Sequence, residues 1–180
     1  KRGYTLNLPR PKKKSLKEYR VAIWSDHQNA PVDDELVNAA EEVAKTFEKA
    51  GAFVSRTARP DYNFDENNSR IYFHLTAAAN TLSGGNPLQE VTLKQYRTAL
   101  EEREEVRSSW ERFFQEYDIL ICPSHSTPAF TKDESEPKTS RKLQLRKNGK
   151  TIHIPYFSAL FWAFLTNVAK LPSTTFPAGI

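Results

Sequence analysis

Residues 19–56 read YRVAIWSDHQNAPVDDELVNAAEEVAKTFEKAGAFVSR, and this stretch decides the fold. Val21, Ala22 and Ile23 form an unbroken apolar run, the pattern of a short buried strand. Pro31, Val32, Asp33 and Asp34 then open a helix, with Asp33 as its natural N-cap. Leu36, Ala40, Val43, Phe47 and Ala50 fall on one face at helical spacing, and Gly51 follows at the C′ position. Residues 52–56 read as a second strand. A strand, an amphipathic helix and a strand in so short a span make a βαβ unit, which predicts parallel strand pairs.

Working outward, residues 1–19 read as an extended, basic lead-in broken by Pro9 and Pro11. Downstream, residues 59–69 read as a loop, 71–82 as a helix and SGGNP at 83–87 as a turn. A long helix starts near Thr92, where Thr92 and Gln95 have capping-box spacing. Its apolar stripe runs Leu93, Tyr96, Leu100, Val106, Trp110, Phe113, Phe114 and Tyr117. It feeds DILIC at 118–122, another buried strand, which ends at Pro123. A second step from helix to strand strengthens the α/β assignment. Residues 124–150 read as an exposed basic loop, with a short hairpin closing at Asn148-Gly149. Residues 151–155 suit a strand. YFSALFWAFLTNVA at 156–169 is apolar on nearly every side, so as a helix it must be buried. It leads to LPSTTFPAGI, whose residues 173–176 are β-prone. The expected fold is α/β in one domain over 1–180: an incomplete, mixed and partly parallel β-sheet flanked by helices.

Composition narrows the class. The chain has 180 residues, with Phe 11, Tyr 7 and Trp 3, enough for a packed interior. No apolar run approaches bilayer length, so no membrane partner is expected. The basic N-terminus has no apolar segment behind it and is not a secretory signal. A single cysteine, Cys122, excludes an internal disulfide framework and fits a reducing, cytoplasmic setting. No methionine occurs, even at position 1, which suggests a processed or partly represented polypeptide. The net charge of +4 is uneven: residues 1–20 hold eight Lys/Arg against one Glu, residues 138–150 hold six and no acid, and the remainder is net negative. Neither basic segment interleaves aromatics with its charges, as single-strand-binding surfaces do, so a solvated tail and loop is the expectation.

Motif spacing nominates no active site. His27, His74, His125 and His153 are far apart and none has a partner at metal-ligand spacing, so no metal is expected. Ser124-His125-Ser126 invites a hydrolase reading, but neighbours on an extended segment point in opposite directions. As the loop after a parallel strand it keeps His125 open as a pocket residue. Ser83-Gly84-Gly85 lacks both the phosphate-loop and the nucleophile-elbow pattern. Cys122 lies in an apolar strand, where a thiol is inert packing.

YDILICPSHSTPAF, followed by FWAFLTNVAKLPSTTFPAGI, resembles the amidase signature family. Asp118 to Pro123 match its acidic residue, short apolar strand and proline. Asn167, Leu171, Pro172, Pro177 and Gly179 match its Asn-x-x-x-Leu-Pro step into a strand closing on Pro-x-Gly. Leu6, Leu8 and Pro9 before RVAIW, the EKAGAFV exit of the first helix, and WERFFQEYDILICP agree in order. Lys170 departs from the pattern, standing where relatives carry Gly before the Leu-Pro step, and so alters the conformations open to that turn.

The resemblance implies a C-terminal portion of an amidase that hydrolyses carboxylic amide C–N bonds through a serine acyl-enzyme, without metal or organic cofactor. The family's Ser-Ser-Lys machinery precedes the RVAIW-type strand, so no catalytic residue is nominated here. The chain alone is expected to be truncated and inactive, with the missing N-terminal catalytic part and a small-molecule amide as its partners; a homo-oligomer is compatible with this. Tyr72 and His125, and with less support Phe161 and Trp162, are the candidates for the acyl-side pocket. Asp118, Pro123, Asn167, Pro172, Pro177 and Gly179 are structural. The rivals are a non-catalytic binding or scaffold domain of the same fold, and a nucleic-acid binder using the two basic segments.

Overall fold

The computed structural model describes residues 10–84 and 90–178, apart from the side chain of Glu66. Leu6, Leu8, Pro9 and the rest of residues 1–9, the part of the expected turn at 85–87, and Gly179 lie outside the described residues. The strand Arg20–Ile23 (β1) has Val21, Ala22 and Ile23 at 0%, 0% and 1% exposure. It is the middle strand of a three-stranded parallel sheet, between Phe53–Ser55 (β2) and Ile119–Ile121 (β3). The helix Asp34–Lys49 (α1) joins β1 to β2, completing the βαβ unit. The Asp33 carboxylate caps it by accepting the Glu35 N–H at 3.0 Å. Gly51 ends it with φ +86°, a left-handed conformation that glycine adopts without a Cβ penalty. Ala50, expected on the apolar stripe, is exposed at the closing turn, and Ala44 is buried with Ala40 instead.

Side chains alternate along β1, so its neighbours divide into two layers. Val21 and Ile23 pack with Ala40, Ala44 and Ile121 beneath α1. Ala22 and Trp24 face an aromatic core built from three helices, Phe64–Leu82 (α2), Leu93–Glu116 (α3) and Phe161–Ala169 (α4). The apolar α4 is buried through Phe161, Trp162, Phe164, Leu165, Val168 and Ala169, as its composition requires. The run at 156–160 that leads into it is a 3-10 helix, so the expected helix over 156–169 is α-helical only in its second part.

Other expectations are corrected. Leu16–Glu18 forms one 3-10 turn inside the lead-in expected to be extended, and Glu18 folds back to accept the Ser15 N–H at 3.1 Å. The expected loop over 59–69 is helical from Phe64, with Asn63 capping α2 through the Asp65 N–H at 3.2 Å. Leu93, placed on the buried stripe of α3, is 82% exposed, and Phe114 is also exposed. Ala99 and Ser109 are buried in the stripe beside Val106, Trp110 and Phe113. The β-prone residues 173–176 are exposed and have no strand partner among the described residues.

Within 124–150, read as an exposed basic loop, Ser126, Thr127, Leu143 and Leu145 are buried. The segment carries an antiparallel hairpin, Lys142–Lys147 (β4) with Lys150–Pro155 (β5), whose turn residues Asn148 and Gly149 have φ +52° and +72°. Two positive φ values make it the type I′ turn that Asn-Gly favours. The hairpin docks on the start of α1: Asp33 Oδ2 accepts the Arg146 N–H at 2.7 Å and Asp34 Oδ2 the Gly149 N–H at 3.3 Å.

Lys170, the departure from the family pattern, itself takes the left-handed conformation, φ +56° and ψ +40°, that closes α4. A side chain there costs about 1 kcal/mol, part of which glycine recovers. Lys170→Gly is expected to raise stability by about 0.5–1 kcal/mol. Leu165→Ala, in the core, is expected to lose about 2–5 kcal/mol, and Leu93→Ala to stay within about 0.5 kcal/mol. Urea midpoints at constant slope measure all three.

Candidate functional site

Parallel sheets place ligand-contacting loops beyond the carboxyl ends of their strands. Here β1 leaves through Trp24, Asp26, His27 and Gln28, and β2 leaves toward Arg59, Pro60 and Tyr62 before Asn63 starts α2. Between these exits and the first turn of α2 lies a cleft of about 430 Å³. Trp24 and Phe64 form its apolar floor, and Asp26, His27, Arg59, Asn63 and Asp65 bring polar groups to it.

The loop after β1 is fixed by its own polar groups. Asp26 Oδ1 accepts the Val32 N–H at 2.9 Å, and Asp26 Oδ2 pairs with Lys147 Nζ at 2.8 Å. The His27 ring stacks on Phe161 with centroids 4.7 Å apart and meets Trp24 edge-on at 5.6 Å. Its Nδ1 lies 3.4 Å from Asp65 Oδ1. Arg59 lies over the Trp24 ring at 4.8 Å, and its guanidinium donates to three backbone carbonyls at the ends of β1 and β2. Desolvation by the surrounding chain pulls that guanidinium below its ordinary pKa, although it stays a cation. The site thus joins a fixed cation, an imidazole facing a carboxylate, and apolar walls. That suits binding and orienting a small polar molecule.

The exit of β3 is arranged differently. Pro123 is buried at its end, and Ser124 and Ser126 take opposite environments, exposed and fully buried. His125 is half-buried and stacks on Phe130 at 5.5 Å. Its Nδ1 accepts the Thr127 N–H at 3.2 Å and lies 3.2 Å from Thr127 Oγ1, which favours the neutral ring with its proton on Nε2. Burial pushes the Cys122 thiol up to about 11, which makes it a poor nucleophile.

The other sequence candidates sit as follows. Tyr72 stacks on Phe164 at 4.2 Å inside the helical core. Trp162 is buried and donates its indole N–H to Ala30 O at 3.2 Å. Phe161 reaches the site only by backing the His27 ring. Tyr72, His125, Phe161 and Trp162 are not among the residues that line the cleft. Asp118 Oδ2 accepts the Arg20 N–H at 2.7 Å and pairs with Lys13, tying the starts of β1 and β3 together. Asn167 O accepts the Lys170 N–H at 3.2 Å, and Pro172 and Pro177 are exposed. No motif spacing links Arg59, His27 and Asp65, so the sequence alone does not mark them as a site. The available signal was position: each lies just after a strand or at the first turn of a helix.

Among the described residues, no group of three or more His, Cys, Asp or Glu side chains is placed to hold a metal ion. No helix among them is long and apolar enough to cross a membrane. Of the basic residues in 138–150, Arg141, Arg146 and Lys147 are engaged with Glu136, Glu35 and Asp26.

Comparison with known proteins gives two findings. The family model described as amidase matches residues 67–180. The fold is similar to the crystal structure of a bacterial aryl acylamidase of the amidase signature family, with a TM-score of 0.62 and 17% identity. That alignment covers 92% of this chain but 38% of the acylamidase, so the chain spans well under half of that enzyme's length. No functionally curated protein matches the sequence.

Burial holds the His125 imidazole below its ordinary value, against an opposing contact with the Thr127 carbonyl. The unfolded chain therefore takes up the proton first as pH falls, and stability drops on acidification through about pH 6.5. His125→Gln is expected to remove that part of the pH slope, read from denaturation midpoints at a series of pH values.

Proposed function

We propose, from the premise that this chain belongs to the amidase family, that it is the C-terminal part of a hydrolase that cleaves carboxylic amide C–N bonds. The observation that carries the reading is the family match over residues 67–180, which includes most of α2 and all of α3, β3, the hairpin and α4. The shared fold with an amidase signature enzyme supports it. In the proposed reaction a serine attacks the amide carbonyl and expels the amine. Water then releases the acid from the acyl-enzyme, while backbone N–H groups hold the oxyanion.

The chemistry would come from the Ser-Ser-Lys region that this sequence does not contain. The 180 residues would supply the sheet, the aromatic core behind it and one wall of the substrate pocket. Neither buried serine shows a nucleophile's arrangement: Ser126 has no hydrogen-bond partner for its Oγ, and Ser109 donates to Val106 O at 2.8 Å. The reading includes a cytoplasmic, cofactor-independent enzyme, with the N-terminal catalytic part as the partner of this one.

A fluorophosphonate probe with intact-mass readout tests it. The 20.6 kDa chain is expected to take no adduct. Joined to the Ser-Ser-Lys region, it is expected to take one adduct and to release amine from a simple amide. An adduct on the 20.6 kDa chain would place the nucleophile here and overturn the assignment of roles. No adduct and no amine release from the joined protein would overturn the hydrolase reading.

A further inference from the structure

We propose that the cleft at the exits of β1 and β2 binds a carboxylate, with Arg59 as its anchor. A guanidinium carries five N–H donors in a planar fork. Arg59 commits both Nη1 donors, to Ile23 O at 3.0 Å and Ala58 O at 2.6 Å. It commits one Nη2 donor, to Arg56 O at 3.2 Å. The donors on Nε and the second on Nη2 have no acceptor among the described residues. Those two nitrogens flank one edge of the guanidinium plane, the kind of edge that grips a carboxylate through two parallel hydrogen bonds.

The charges of the cleft leave this edge to a ligand. Among the described side chains, no carboxylate lies within ion-pair distance of Arg59. Asp26 is occupied by Lys147 and the Val32 N–H. Asp65 faces His27. The guanidinium is also held in place before any ligand arrives, by its three carbonyl acceptors and by the Trp24 ring beneath it. Such preorganisation lowers the ordering cost of binding. Since Arg59 covers the Trp24 face, the body of the ligand would rest on Tyr62 and Phe64, with Gln28 and Asn63 at the polar rim. A small carboxylate on a flat ring suits these walls and the available space of about 430 Å³. The consequence for substrate class, which alone rests on the amidase reading, is an amide that carries a free carboxylate away from the scissile bond.

The probes are benzoate and its neutral counterpart benzamide, titrated into the full chain and followed by NMR at the Trp24 indole, the His27 imidazole and the Arg59 Nε–H. Benzoate is expected to shift these signals saturably, and benzamide to bind at least about tenfold more weakly. Arg59→Lys keeps the charge but loses the fork, and is expected to weaken benzoate about tenfold. Because that change also loosens the strand exits, Asp65→Asn serves as a second variant; removing the carboxylate that faces the cleft is expected to tighten benzoate severalfold. Equal affinity for the two probes, shifts confined to other parts of the chain, or an Asp65→Asn variant that binds no tighter would each overturn the site. Benzoate binding as described, with no amide hydrolysis by the joined protein, would leave the site standing and remove only the substrate assignment.

Discussion

The structure depends on one short strand buried on both faces between two unlike layers. β1 pairs in parallel on both edges, and its last three residues, Val21, Ala22 and Ile23, have no route to solvent. Val21 and Ile23 fill the narrow layer against α1, where Ala40 and Ala44 bring the helix close. Ala22 points the other way, and its small side chain leaves room for aromatic rings from three helices. Trp24 is the first residue past the strand. It meets His27, Phe64, Phe161 and Trp162 edge-on, with centroids 5.6–5.9 Å apart. Edge-to-face contacts of this kind add to area burial and fix ring orientation. The residue that closes the core therefore also forms the floor of the cleft.

A second constraint is electrostatic and lies at the start of α1. Asp33, Asp34 and Glu35 bring three carboxylates to a helix N-terminus, where the backbone dipole favours negative charge. Asp33 is nearly fully buried, a costly place for a lone charge. Its two oxygens are used separately, Oδ1 by the helix N–H of Glu35 and Oδ2 by the hairpin N–H of Arg146. A local capping signal thus doubles as the attachment point of a segment more than a hundred positions away. Lys147 extends the attachment by donating to Val32 O at 3.1 Å and pairing with Asp26, which holds the loop carrying His27.

Features governed by local pattern were legible in the sequence. The βαβ unit, the caps at Asp33 and Thr92, and the Asn148-Gly149 turn follow from spacing and turn chemistry, and each stands in the structure. The start of α2 was hidden because its buried face includes Asn68, a polar residue that no hydrophobic count registers. Leu93 was misplaced because periodicity alone extends an apolar stripe into the first turn of a helix whether or not anything packs there, and Leu93 is exposed. Lys170 marks the reverse case: an oddity against the family pattern identified the one residue that closes α4 in a left-handed conformation. The cleft was the least legible part. His27, Arg59 and Asp65 meet only because two parallel strands end side by side, and that adjacency is a property of the sheet.

The three strand exits are spent in different ways, and this explains where a ligand has room. The exit of β3 is turned inward: His125 is held by Thr127, and the Ser126 carbonyl accepts the Asp33 N–H at 2.8 Å. Its polar groups serve to join β3 to the α1 layer. The exits of β1 and β2 are braced from behind instead, by Lys147 on Asp26 and by backbone carbonyls on Arg59, which leaves their outer edges uncommitted. A rigid, half-satisfied polar rim over an apolar floor is what selective binding requires, because the groups are placed in advance and their remaining donors go unpaired until a matching acceptor arrives.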